Sequence, residues 1–247
     1  MSASFKGVFA SRVDIGKVRI SNDDQASVLT NADGDVFLVV CDGMGGHKKG
    51  DCASKMAIDY LVECFQKKRR TPVFLSRQWL VRSIRQANLL VFNEAEHNPA
   101  YKGMGTTCVA VLIQKNKLII ANVGDSRAYA FSNFSLQRLT EDQTYVDYLY
   151  RTGKISAEDT SSRADRHVLM NALGIYPSAS MDVSVRPYNG EAILLCSDGL
   201  YNNVSEAEIR AILATNERAD EKVNSLINEA NGNGGSDNIA ISYWEAI

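Results

Sequence analysis

The sequence is short of several things that whole classes of protein require. Only four prolines and three histidines occur in 247 residues, and the five cysteines (Cys41, Cys52, Cys64, Cys108, Cys196) are odd in number with no Cys-x-x-Cys pair. Few prolines, with 17 glycines, exclude collagenous and low-complexity architectures. His47, His97 and His167 are not at ligand spacing from one another, which argues against a zinc site. Most of the cysteines lie inside apolar runs and read as buried thiols in a reducing compartment, not as a disulfide framework. Neither charge sign dominates: 27 Lys+Arg stand against 29 Asp+Glu, a formal charge of −2. A general nucleic-acid or anionic-membrane binder needs a basic excess, so neither partner is expected. Long hydrophobic stretches are absent too. The longest, Val36 to Cys41 and Cys108 to Ile113, are six residues each, against the roughly 20 of a membrane span. The start, Met1-Ser-Ala-Ser-Phe-Lys-Gly7, has no basic segment leading into an apolar one, so a cytoplasmic protein without a secretory signal is expected.

What is present is ordinary globular composition, 45% hydrophobic and 23% charged, with no internal repeat and no linker. A single domain over residues 1–247 is the expectation. Short runs rich in β-branched and aromatic residues predict strands at Val36 to Cys41, Thr106 to Ile113, Lys117 to Val123, Ala128 to Phe131, Ala192 to Cys196 and Ile239 to Tyr243. Ala57, Tyr60, Leu61 and Cys64 recur at helical spacing, with Lys67 to Arg70 as a solvated helix end. A second helix carries Leu80, Ile84, Ala87 and Val91 and is expected to begin at an N-cap, Ser76. Ser205-Glu-Ala-Glu208 reads as a capping box, and a last helix is expected from about Glu217 to Ala230. Helices that come in pairs between groups of strands favour an α+β fold, with two antiparallel sheets flanked by helical pairs. The polar stretch from Glu141 to Arg166, opened by a short helix around Tyr145, Tyr148 and Leu149, reads as a surface flap.

The informative residues are aspartates at the ends of apolar strands. Asp42-Gly43 follows Val36 to Cys41, Asp198-Gly199 follows Ala192 to Ser197, Asp237 precedes the last strand, and Asp24 precedes another strand-like run. Asp33-Gly34 behaves differently, because Val36 resumes a strand at once, as in an ordinary hairpin. Two carboxylates ~4 Å apart repel by roughly 4 kcal/mol at an effective dielectric of ~20. If the four converge, they demand divalent cations, and an all-oxygen set without His or Cys selects Mg²⁺ or Mn²⁺. Such ions activate water and bind phosphoryl oxygens. Arg19 would be a natural companion, since its planar fork grips two phosphate oxygens. Lys48-Lys49 lacks the Walker order, and the surrounding glycines miss the dinucleotide spacing.

Eight segments in order resemble the metal-dependent serine/threonine phosphatases of the PP2C type, in their compact bacterial form. They are Gly16 to Asp24, Val40 to His47, Gly103 to Thr107, Ala121 to Arg127, Leu139 to Asp142, Ala172 to Gly174, Leu194 to Leu200 and Gly235 to Asn238. The resemblance implies an α-β-β-α sandwich with a centre of two Mn²⁺ or Mg²⁺ ions and in-line attack of an activated water on phosphoserine or phosphothreonine. Asp42 would bridge both ions and the Gly43 carbonyl would ligate one. Asp198 and Asp237 would complete the other shell, and Asp24 would act mainly through water. Arg19 would hold the phosphate. Asp125 matches the position that, with Asp198, helps bind a weaker third ion in bacterial members; a turn aspartate paired with Arg127 is the alternative. Thr106 and Thr107 would support the strand beneath. The implied partners are phosphoproteins, the substrates of a Ser/Thr protein kinase and the kinase itself.

Three positions depart from the pattern. Asp23 stands where Glu is usual, which implies a shorter or water-mediated contact, and Gln143 stands for a frequent histidine with no clear chemical consequence. Met44 replaces a histidine that animal relatives carry as a proposed general acid, leaving His47, His167 or a metal-held water for that role. A catalytically silent phosphoprotein-binding module is the alternative from another class, and the retained Asp42, Asp198, Asp237 and Arg19 speak against it. A metal-dependent nuclease is disfavoured by the acidic pI of about 6.0.

Overall fold

A computed structural model of the chain describes residues 5–45, 48–163, 165 and 167–247. In chain order it begins β1 (Gly7–Asp14), β2 (Asp24–Thr30), β3 (Val36–Met44), α1 (Lys48–Gln66) and α2 (Val73–His97). There follow β4 (Gly105–Thr106), β5 (Cys108–Gln114), β6 (Lys117–Val123), β7 (Arg127–Ser132) and β8 (Ser135–Arg138). The second half holds α3 (Tyr145–Arg151), α4 (Ala157–Ser162), β9 (Asp182–Pro187), β10 (Ala192–Cys196), α5 (Asp198–Tyr201), α6 (Glu206–Leu213), α7 (Ala219–Gly232) and β11 (Ile239–Ala246).

The strands form two antiparallel sheets, ordered β1-β11-β10-β7-β8 and β2-β3-β5-β6-β9, with β4 paired to β3. The apolar runs are continuous, not alternating, because both faces of the central strands are buried. On β3, Phe37, Val39 and Cys41 pack toward α1 and α2, while Val36, Leu38 and Val40 pack between the sheets. On β10, Ile193 and Leu195 face the same inter-sheet layer, and Ala192, Leu194 and Cys196 pack with residues of α6 and α7. Three apolar layers thus stack as helix pair, sheet, sheet, helices, the α+β sandwich that the sequence implied. Asn31 and Gly34 close the β2–β3 hairpin as expected, with Gly34 at φ 78°.

Several local expectations change. Pro72, not Ser76, precedes the first turn of α2, and Ser76 is buried inside the helix with its hydroxyl on Thr71 at 2.9 Å. Lys68 is not solvated; its ammonium is buried against Asp35 at 2.8 Å. The capping box at Ser205 and Glu208 forms, and α7 runs two residues later at each end than anticipated. Strands β1 and β9 lay outside the predicted set. Each is an edge strand with an irregular mixture of exposed and half-buried positions, so neither shows a clean period of two.

Candidate active site

Antiparallel pairing brings the starts of β2 and β11 and the ends of β3, β6 and β10 to one end of the sandwich. Asp24 and Asp42 are direct cross-strand partners, an arrangement that puts like charges opposite each other and is costly when both ionise. Asp198 opens α5 two residues after β10 ends, Asp237 and Asn238 immediately precede β11, and Asp125 occupies the turn between β6 and β7. Arg19, Asp42, Gly43, Asp125, Asp198 and Asp237 all line one cavity of about 480 Å³, which Asp23 and Thr107 also border. Asp24 does not line it. It is buried behind Asp42, where its carboxylate accepts a 2.6 Å hydrogen bond from the Ser197 hydroxyl.

Backbone fit decides where these side chains stand. The Asp42 amide donates to the Thr107 hydroxyl at 2.9 Å, Thr107 contacts Ser126 at 2.7 Å, and the Asp42 carbonyl accepts from the Thr107 amide at 2.8 Å. The Thr106 hydroxyl donates to that same carbonyl at 2.9 Å. Both threonines therefore hold the end of the strand that carries Asp42. Gly43 is required by close approach: a Cβ there would lie 2.1 Å from the Gly50 carbonyl and 2.5 Å from that of Asp23. The same holds for Gly199, whose Cβ would meet the Asn238 carbonyl at 1.9 Å. Asn238, which the motif contains but composition does not explain, accepts from the Asp23 amide and donates to the carbonyls of Ile15 and Ser21, all at 2.9 Å. It ties the Arg19 loop to the Asp237 segment.

The electrostatics are those of crowded carboxyl groups. Burial pushes Asp24 up to about 8, with the charges of Asp198 and Asp237 adding and the Ser197 hydrogen bond opposing. Asp125 is likewise pushed up to about 8 by burial and then by Asp198 and Asp142. Asp198 rises to about 6 through burial and the charge of Asp237, against Arg19 and Arg127. Asp42 is held well above the usual carboxylate range by burial first and by its four acidic neighbours second. Cations are few. Arg19 pairs with Asp237 at 2.6 Å at the exposed mouth, and His167 stands 3.8 Å from Asp198. Lys49 turns away to the Lys102 carbonyl, and His47 lies outside the described residues.

The Arg127 alternative for Asp125 does not hold. Arg127 is engaged by Asp142 at 2.7 Å and stacks on Tyr201 with its guanidinium carbon 3.4 Å from the ring centre, so the Asp125 side chain is left to the cavity. Gln143 does have a structural consequence. Its carbonyl oxygen accepts from the Gly124 amide at 3.0 Å and from Asn171 at 2.8 Å, while its amide donates to Asp182 at 2.8 Å. One side chain thereby fixes the turn that carries Asp125. Asp23, the other departure, has one buried carboxylate oxygen without a hydrogen-bond partner in the structure.

Whether divalent cations fit is decided by the donors. Five aspartates border the cavity, their carboxyl groups repel each other, and no Lys or Arg among the described residues forms an ion pair with Asp42 or Asp125. Hard divalent ions match that chemistry. Among the described residues, no three acidic, His or Cys side chains meet on one point at ligand distance. Asp237 is turned to Arg19 and Asp198 to Asn202 at 3.1 Å.

Fold and cavity together define a metal-dependent phosphatase. Residues 17–237 match the family model described as Protein phosphatase 2C, and the chain belongs to that family. It is 40% identical over 238 residues to a serine/threonine phosphatase, stp, of Listeria welshimeri, covering 95% of this chain and 94% of the relative. The serine/threonine phosphatase of S. agalactiae superposes with a TM-score of 0.93 at 30% identity, over 98% of this chain and 100% of that one. The catalytic domain of the phosphatase PstP, solved in complex with 2 manganese ions, superposes with a TM-score of 0.84 at 30% identity, over 98% of both chains.

Proposed function

We propose that this chain, as one domain, hydrolyses phosphoserine and phosphothreonine in proteins at the cavity just described. The supporting observation is the gathering of Asp42, Asp125, Asp198 and Asp237 from four distant segments around one cavity, with Arg19 at its mouth. In this reading Asp42, the Gly43 carbonyl, Asp198 and Asp237 hold two Mn²⁺ or Mg²⁺ ions, and Asp125 with Asp198 takes a weaker third. When bound, the ions neutralise the carboxylates and supply Lewis acidity toward water and phosphoryl oxygens. The chain's own contribution is positioning. Arg19 offers a planar pair of donors to the phosphate, and the Thr107 and Gln143 hydrogen bonds hold Asp42 and Asp125 in place. Asp24, bonded to Ser197, biases the charge of Asp42 from behind.

The segment from Glu141 to Arg166 is proposed to set selectivity among protein substrates. Asp142, Gln143 and Thr144 near its start are buried, so the part free to meet a substrate starts at α3. Among the described residues no helix is long and apolar enough to cross a membrane. A cytoplasmic Ser/Thr protein kinase and its substrates are the proposed partners.

With Mn²⁺, the protein is expected to release phosphate from p-nitrophenyl phosphate and from a phosphothreonine peptide. Asp42→Ala and Asp198→Ala should each lower kcat by at least about 10²-fold, the scale on which electrostatic stabilisation acts. Full activity in excess chelator would overturn the reading.

A further inference from the structure

Arg19 is followed by an isoleucine that has little reason to be where it is. Ile20 is 87% exposed, the highest value among the exposed large hydrophobics, yet it lines the catalytic cavity. Its neighbour Val18 is 66% exposed. Single exposed apolar residues are common on protein surfaces and need no explanation. This one differs in two respects. It borders the pocket, and its loop is fixed: Asn238 holds the carbonyls of Ile15 and Ser21 at 2.9 Å, and the Lys17 amide donates to Gly235 at 2.8 Å. The backbone on both sides of this exposed apolar residue is therefore held in place, next in sequence to Arg19. A second apolar stretch borders the same cavity, where Leu169 lines it between Val168 and Met170, themselves 52% and 51% exposed.

We propose that Ile20 is a specificity-determining residue, reading a large aliphatic side chain immediately beside the phosphorylated serine or threonine of a protein substrate. The proposal rests on the phosphatase function above and adds the substrate class. Reach sets the position read. Ile20 adjoins Arg19 in sequence and lines the same cavity, so the substrate residue it would meet is one close to the phosphoresidue. Chemistry sets what is read, since covering an exposed isoleucine is favourable only against apolar surface. An acidic or small polar neighbour gains nothing there.

The test uses the full-length protein with Mn²⁺ and phosphothreonine peptides carrying leucine or serine on either side of the phosphoresidue in turn. The readout is the ratio of kcat/KM for the leucine peptide over the serine peptide. Wild type should favour leucine on one side by about 10-fold, the scale of discrimination by a small apolar contact. Ile20→Ser should bring that ratio to about 1, and Ile20→Val should restore most of it. A wild-type ratio of 1, or an unchanged ratio in Ile20→Ser, overturns the proposal. Should wild type hydrolyse neither the peptides nor p-nitrophenyl phosphate, the phosphatase reading fails separately. The same ratio is then read as Kd by calorimetry, with the same two outcomes.

Discussion

Arg19 reaches Asp237 with one terminal nitrogen while 55% of its side chain stays exposed. An exposed pair of this kind contributes little to stability, so the value of the arginine lies in the fork it presents and not in the bridge. A lysine keeps the charge but cannot offer two parallel donors. Arg19→Lys should therefore lower kcat/KM for a phosphopeptide by roughly 10-fold while leaving the thermal midpoint nearly unchanged. Steady-state kinetics beside a melting curve checks both; equal kinetics for Lys and Arg would remove the bidentate role. At this scale the sequence was largely readable. Strand-terminal aspartates stand out as a set, since any one of them alone reads as a turn, and Arg19 stands out only as their companion. The roles of Ser197, Asn238 and Gln143 were not readable there, because they exist only through partners brought close by folding. Ser197 bonds Asp24 across 173 positions, and Asn238 reaches Ser21 across 217.

Elements add what single residues cannot. Lys68, two positions beyond α1, places its ammonium 2.8 Å from Asp35 at the start of the β3 hairpin arm, and Gln114 of β5 bonds the same carboxylate at 3.1 Å. Helix end, hairpin and neighbouring strand are pinned at one buried point, over which Trp79 of α2 also lies, with the ammonium 5.8 Å from its ring centre. A charge run read as solvated hides such a residue, since nothing local distinguishes Lys68 from Lys67. Removing one partner of a buried pair leaves the other charge uncompensated. Lys68→Met is expected to cost about 3–5 kcal/mol in urea unfolding, and adding Asp35→Leu should recover much of that loss. If the single variant costs less than about 1 kcal/mol, the pair is not what pins these elements. The edge strands β1 and β9 were illegible for a related reason: half-exposed strands carry weak periodicity, whereas central strands announce themselves by continuous apolar runs.

On the scale of the whole molecule, the fold concentrates acids that the chain keeps far apart. Asp24 and Asp125 are pushed up to about 8 and Asp198 to about 6, from an ordinary 3.8. Each holds a proton in the fold at pH values where the unfolded chain has released it. Proton binding thus favours the fold, and this contribution is complete below about 4 and fades as pH rises through about 6 to 8. Divalent cations reverse that trend, because they bind the ionised groups and stabilise the fold by mass action. In chelator, the thermal midpoint should fall between about pH 5.5 and about pH 7.5, and Asp24→Asn should flatten the fall. Millimolar Mg²⁺ or Mn²⁺ should raise the midpoint, by more at the higher pH than at the lower. A cation-induced rise equal at both pH values, or one that survives in Asp42→Ala with Asp198→Ala, would locate the binding elsewhere. The melting experiment needs no substrate, so it tests the charge-gathering fold independently of catalysis.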